Sequence, residues 1–152
     1  MIRLSFVAML IVSVNRWSSD VPAFQRSDLQ TIDTTITLRA NSSTLEFDPP
    51  TLAVKQGTRT RLRFVNSGTL PHNFALVRDE ADLDALAAAA MKQGGDYIPA
   101  ALKGKLIAWT ALASPGDTVE TSFTVPPPGT YTYVCLMSGH SNSMLGTLRS
   151  LH

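Results

Sequence analysis

One short loop of the sequence carries three side chains that bind soft metal ions. Cys135 is followed by His140 and then by Met144, in the spacing Cys-x4-His-x3-Met. A second histidine, His72, lies upstream in the Pro-His-Asn-Phe segment that spans residues 71–74. Strand-like sequence ends at Cys135 and resumes near Met144, so one connection is predicted to hold three of the four side chains. The set supplies one thiolate, one thioether and two imidazoles to a single metal ion.

The ligand types favour copper. Cu(I) prefers sulfur and low coordination numbers, whereas Cu(II) prefers nitrogen and oxygen in a tetragonal geometry. A trigonal plane of two imidazoles and one thiolate, with a weak axial thioether, is the blue-copper arrangement and suits both oxidation states. Little rearrangement then accompanies the gain or loss of an electron. The pattern therefore predicts a mononuclear copper site for one-electron transfer.

Each of these residues also has an ordinary structural explanation. A lone cysteine is often a small, buried apolar side chain, and Met144 could simply fill the core. His140 could be exposed in its Ser/Gly-rich loop, and His72 could cap a turn. The conjunction of all four residues in this order favours the metal site. His152, at the end of the sequence, has no such spacing and is expected to take no part.

The composition excludes several functional classes. The 152 residues are enough for one domain of ordinary size. The 13 Lys and Arg residues nearly balance the 12 Asp and Glu residues, which argues against a nucleic-acid binder. The single cysteine excludes an intrachain disulfide and any metal site with several thiolates. With only three histidines, the chain also lacks the ligands for a second copper ion.

The elements around the site are predicted to be short strands with one inserted helix. Acidic residues at the start, Lys92 near the end and Gly94-Gly95 after it are typical of a helix over residues 79–93. Seven or eight strands separated by turn signals predict an all-β fold, namely an antiparallel β-sandwich. The expected strand segments are residues 31–38, 43–47, 51–55, 59–64, 105–110, 119–125, 130–135 and 145–151.

Three arginines, Arg59, Arg61 and Arg63, alternate with apolar residues along one predicted strand. Alternation places them on one face of the sheet. We expect this row to be the solvated face of the strand. The alternative is a docking patch for an acidic partner.

The N-terminal residues have the pattern of an export signal. Arg3 precedes an apolar run over residues 4–14, which as a helix would span roughly 16 Å, about half of a bilayer core. Residues 1–19 are therefore predicted to be a signal peptide or an N-terminal anchor, residues 20–30 a linker, and residues 31–152 the folded domain. We expect a periplasmic or other extracytoplasmic location, with possible membrane attachment.

Over about residues 32–151 the sequence resembles the blue copper proteins of the azurin and auracyanin group. The Cys-x4-His-x3-Met loop with the following Gly-Thr-Leu is similar to azurin, while residues 44–77 are closer to auracyanin. The resemblance implies a cupredoxin-like, eight-stranded Greek-key β-sandwich. It implies His72, Cys135 and His140 as equatorial copper ligands and Met144 as the axial ligand. It also suggests that Asn73 ties the His72 segment to the ligand loop.

One departure from related loops concerns Ser138, which stands where they have proline. Serine restores a backbone N–H that proline lacks. We expect this N–H to donate to the Cys135 sulfur and so to raise the reduction potential.

The function expected from these residues is a one-electron carrier between extracytoplasmic redox proteins. Partners are expected to dock transiently near an exposed edge of His140, with no nucleic acid involved and the protein monomeric. It is expected not to be an enzyme, because Met144 would fill the position that a substrate needs. Two alternatives stay open: a copper storage or delivery module, and a catalytic copper site from which Met144 swings away.

Overall fold

The computed structural model describes residues 31–152. Within this range the chain forms nine β-strands, one α-helix and two short 3-10 helices. The helix α1 is Leu83–Gln93, and the 3-10 helices are Glu80–Asp82 and Ala100–Lys105. The strands, in chain order, are β1 Thr34–Ala40, β2 Phe47–Asp48, β3 Thr51–Lys55, β4 Arg59–Asn66, β5 Ala75–Val77, β6 Leu106–Trp109, β7 Thr118–Thr124, β8 Gly129–Val134 and β9 Leu145–Leu151.

The strands form two sheets, in the orders β2-β1-β4-β7 and β3-β9-β8-β5-β6. This arrangement confirms the predicted all-β sandwich with one inserted helix. The sheets are mixed rather than purely antiparallel, because β1 pairs with β4 and β3 pairs with β9 in parallel. Parallel neighbours need a long crossover. The chain supplies it by leaving one sheet for the other between the paired strands.

Alternation along β4 shows how the sequence builds this sandwich. Thr60, Leu62 and Phe64 are buried between the sheets, whereas Arg61 and Arg63 are exposed. Burial of every second residue follows from the two-residue period of a strand. The remaining apolar positions of both sheets join the same core, including Leu38, Phe47, Leu52, Phe74, Leu76, Phe123, Tyr133 and Leu148.

Two residues of the arginine row, Arg61 and Arg63, lie on the solvent side of β4 as expected, whereas Arg59 is half-buried and its Nε has no hydrogen-bond partner among the described residues. Arg63 Nε lies 3.0 Å from a Glu120 carboxylate oxygen and Arg61 Nε lies 3.8 Å from the other. The side chains of Arg61, Arg63 and Glu120 are each about half exposed, and ion pairs of this kind contribute little stability.

The helical segment between β5 and β6, residues 79–105, packs on the outside of the second sheet. We call it the insert. It begins where the Asp79 carboxylate accepts a hydrogen bond from the Ala81 N–H at 3.0 Å. The predicted helix over 79–93 is therefore a 3-10 turn followed by α1, which ends at Gly94 with φ of 64°. Leu86 and Ala90 of α1 are fully buried against the sheet.

The predicted signal peptide or anchor and the linker, residues 1–30, lie outside the described residues. No helix within residues 31–152 has the length and hydropathy needed to cross a membrane.

Candidate metal centre

The ends of β8 and β9 bring Cys135 and Met144 together. These strands are antiparallel neighbours, so the residue after β8 and the residue before β9 lie at the same end of the sheet. The Cys135 N–H donates to the Met144 carbonyl at 3.0 Å. The Met144 N–H donates to the His140 carbonyl at 2.8 Å. The predicted ligand connection is therefore a closed loop, held by its own backbone hydrogen bonds.

His72 reaches the same place from the connection between β4 and β5. Its N–H donates to the Ala113 carbonyl at 3.0 Å, and the Ala113 N–H donates back at 2.8 Å. This isolated bridge holds His72 three residues before β5. The backbone position of His72 is fixed by the reciprocal pair of bonds.

A buried asparagine at the end of β4, Asn66, supports this arrangement. The Asn66 amide donates to the carbonyls of Leu70 and Ala113, each at 2.8 Å. Its oxygen accepts the Gly68 N–H at 2.9 Å. Gly68 has no room for a side chain, since a Cβ there would lie 3.1 Å from His72 Nε2. The sequence does carry a signal for this turn, because Gly68 stands two residues after an asparagine at the end of a strand.

The three candidate equatorial ligands converge on one point. The Nδ1 atoms of His72 and His140 lie 3.2 Å apart. Cys135 Sγ lies 3.8 Å from the first and 3.6 Å from the second. The exposed fractions of Cys135, His72 and His140 are 0%, 2% and 6%. Both histidines are buried, and the surface expected at His140 is limited to this small fraction of its ring.

These separations fit a metal ion. With bonds of about 2.0 Å to nitrogen and about 2.3 Å to sulfur, the ligand atoms would subtend angles of about 105–125° at the ion. Those angles are near the 120° of a trigonal plane. The donor set is therefore already arranged for a trigonal metal ion.

Hydrogen bonds to the sulfur and to the ligand loop surround this plane. The Asn73 side-chain oxygen accepts the Leu136 N–H at 2.8 Å, which confirms the expected tie to the ligand loop. The backbone N–H groups of Asn73 and Met137 donate to Cys135 Sγ. The expectation for Ser138 was therefore wrong by one residue. Met137 directly follows the anchored Leu136, whereas Ser138 lies exposed on the outside of the turn.

The comparisons with known proteins agree with this geometry. A family model described as copper binding proteins of the plastocyanin/azurin family matches residues 34–149. Auracyanin-A of Chloroflexus aurantiacus is 37% identical over 118 residues, which cover 75% of this chain and 72% of that protein. The chain belongs to this family, as a blue copper cupredoxin of the azurin and auracyanin group.

Other relatives place the cupredoxin in the same group. Auracyanin-B of Chloroflexus aurantiacus is 34% identical over 119 residues, which cover 75% of this chain and about half of that protein, 51%. The solved structure of Auracyanin A, described as a "blue" copper protein, superposes with a TM-score of 0.73 at 36% identity, covering 77% of this chain and 98% of that one. An azurin from Methylomonas sp. strain J, at 22% identity and a TM-score of 0.70 over 79% of this chain and 99% of its own, shows the shared fold.

The cofactor of the cupredoxin is therefore copper, and the protein is an electron carrier of the blue copper type. Met144 is fully buried and belongs to the same core cluster as Cys135. Its assignment as the axial ligand stays a prediction from spacing and resemblance.

Burial dictates the protonation of the metal-free cupredoxin site. It raises the pKa of the Cys135 thiol, against a smaller lowering by the N–H groups of Asn73 and Met137. Burial, and then the charge of His140, lowers the pKa of His72 to about 4. Burial also lowers the pKa of His140. At neutral pH the site holds two neutral imidazoles and a thiol, so copper binding as the thiolate releases one proton.

Proposed function

We propose that this cupredoxin shuttles single electrons between extracytoplasmic redox proteins, with copper held by His72, Cys135, His140 and Met144. The observation that carries the proposal is the buried triangle of two Nδ1 atoms and one Sγ, with sides of 3.2, 3.6 and 3.8 Å. A rigid, preorganised site changes little when the metal gains or loses an electron. The closed ligand loop and the His72 bridge supply that rigidity.

The axial position argues for a carrier rather than an enzyme. Met144 is fully buried and is fixed on both sides of its peptide unit, by Cys135 and by His140. A thioether held in this way would occupy the coordination position that a substrate would need. Because Met144 is fully buried, moving its thioether away from the ion would require room elsewhere in the packed core.

Electrons would enter and leave through the edge of His140, the more exposed of the two histidines. The surrounding surface supports this route, because Leu70 is 45% exposed and both Pro71 and Met137 are half-buried. The His140 N–H donates to the Met137 carbonyl at 3.0 Å, so the two residues share one backbone turn of the ligand loop. A small apolar rim of this kind suits a transient contact between the monomeric protein and another redox protein.

The N-terminal pattern supports a location outside the cytoplasm. We propose that residues 1–19 export the chain or anchor it in a membrane, and that residues 20–30 link this segment to the domain over 31–152. The near balance of charges gives no basis for binding nucleic acid.

A copper storage or delivery module, the alternative function, would need a site that releases its ion. Delivery requires that the ion leave easily, whereas here each of the four ligand residues is at most 6% exposed. Copper that cycles between oxidation states without loss would support the carrier. Rapid loss of Cu(I) to a competing chelator would support delivery.

The test begins with one equivalent of Cu(II) added to the metal-free full chain. We expect an intense visible thiolate-to-copper band and a narrow copper hyperfine splitting. Cys135→Ser should abolish the band, and His140→Ala should change its spectrum, while His152→Ala leaves both unchanged. Met144→Leu should shift the reduction potential, with Met91→Leu, at a 64% exposed position, as its matched control. A colourless wild-type protein would refute the proposal.

A further inference from the structure

Both chain neighbours of Cys135 are buried against the insert. Val134 and Leu136 lie in one apolar cluster with Leu86 and Ala90 of α1 and with Ile98 from the segment after it. Their exposed fractions are 0% and 1%, so the insert covers both completely. The position of the Cys135 backbone is therefore coupled by packing to a segment that contributes no metal ligand.

A hydrogen-bond chain connects the insert to the sulfur more directly. The Asn73 side-chain N–H donates to the carbonyl of Asp96, in the turn that follows α1, at 2.7 Å. The oxygen of the same amide accepts the Leu136 N–H at 2.8 Å. The Asn73 backbone N–H, in turn, donates to Cys135 Sγ. One fully buried asparagine thus joins the insert, the ligand loop and the sulfur.

The turn that presents the Asp96 carbonyl has an uncommon backbone. Gly94 and Gly95 have φ of 64° and 62°, and Tyr97 has φ of 57° although it carries a side chain. Such a conformation at a non-glycine residue persists only where the surroundings hold it. Here the Asp96 carboxylate accepts the Ile98 N–H at 3.0 Å, and the Tyr97 N–H donates to the Gly94 carbonyl at 3.0 Å.

We propose that Asp96 is a positioning residue for the copper centre: its turn holds the Asn73 amide, and through it the N–H groups that donate to Cys135 Sγ. This inference rests on the proposed copper site. Hydrogen bonds to a thiolate withdraw charge from the sulfur, so they weaken its donation to Cu(II) and favour Cu(I). Loosening the turn lengthens these bonds and lowers the reduction potential.

The sign of the shift separates this mechanism from simple electrostatics. Removing a negative charge near the copper favours the less positive Cu(I) state, so charge loss alone raises the potential. Loss of the Asp96 turn lowers it. Asp96→Ala removes both the charge and the acceptor for Ile98, while Asp96→Asn removes only the charge. Asp84→Ala removes the charge of an exposed carboxylate on α1 and serves as the matched control.

The experiment is a redox titration of the copper-loaded full-length variants. At a fixed ambient potential, Asp96→Ala should raise the ratio of Cu(II) to Cu(I) at least threefold above wild type, where tenfold corresponds to 59 mV. Asp96→Asn and Asp84→Ala should leave the ratio unchanged or lower it. Tyr97→Val, which puts a β-branched side chain at a positive φ and so loosens the turn without a charge change, should act like Asp96→Ala. In the Cu(I) protein, the Leu136 amide should exchange with solvent faster in both loosened variants.

A ratio in Asp96→Ala and Tyr97→Val equal to or below that of wild type would overturn the positioning role and leave the copper site intact. If Asp96→Ala failed to fold, Tyr97→Val alone would decide in the same way. A wild-type protein without the blue band would instead overturn the proposed function, and the positioning role with it.

Discussion

Acid should destabilise the metal-free protein through His72. The pKa of this imidazole is about 4 in the folded protein, against about 6.5 in an unfolded chain. Between these values the unfolded chain binds more protons than the folded one, so stability falls as the pH falls. The full difference of about 2.5 pH units corresponds to about 3 kcal/mol, of which about 2 kcal/mol is lost by pH 5. His140, whose pKa is also lowered, adds to the loss in the same direction.

Urea denaturation of the metal-free protein at pH 7.5 and pH 5 measures this loss. Most carboxylates stay ionised over that interval, so their contribution is small. His72→Gln should be less sensitive to acid than the wild type, because an amide does not titrate. His152→Gln, at an exposed position, should keep the wild-type slope. Equal acid sensitivity in His72→Gln and the wild type would refute the burial argument.

Three further predictions concern packing, potential and docking. Gly146→Ala should destabilise the fold by about 1–3 kcal/mol or more, because its Cβ would overlap the Tyr133 ring, while Gly129→Ala should be nearly neutral in thermal unfolding. Met137→Pro removes an N–H that donates to Cys135 Sγ and should lower the reduction potential. Ser138→Pro should shift the potential less. A larger shift in Ser138→Pro than in Met137→Pro would contradict the bond from Met137. Leu70→Lys should slow electron self-exchange about tenfold or more, because two copies would repel each other at the docking rim. Leu151→Lys, at a leucine of similar exposure, should not slow it. Equal self-exchange rates in the two variants would exclude the rim as the contact.

The candidate ligands were predictable because their chemistry is local. Cys135, His140 and Met144 lie in one connection between two strands whose alternation is clear, and their types leave few metals to consider. Strand bounds followed the same alternation: Thr51–Lys55 and Leu145–Leu151 agree with the expected segments to the residue. Burial of one face and exposure of the other is a property that the sequence displays directly.

Other features depend on contacts that no local pattern contains. The expected strand over 43–47 shortens to Phe47–Asp48, because Asn41 to Thr44 turn back on themselves through side-chain bonds. The parallel pairing of β1 with β4 arises from the crossover, not from either strand. The Asp96–Asn73 bond joins residues 23 positions apart. Such features are set by side-chain bonds in turns and by the packing of distant segments, and alternation carries no signal for them.

The separation of His72 from the other ligands has a consequence for maturation. The thiol, one imidazole and the thioether lie within ten residues of sequence, between β8 and β9, so even an unfolded chain offers copper three of the four ligands. His72 joins only when the β4–β5 connection docks, 63 positions away from Cys135. Affinity of the unfolded chain for the ion subtracts from the stability that the ion confers on the folded one. Copper therefore stabilises the folded protein by less than the strength of the finished site implies, and an ion that binds before folding does so at a thiol that is still exposed to solvent.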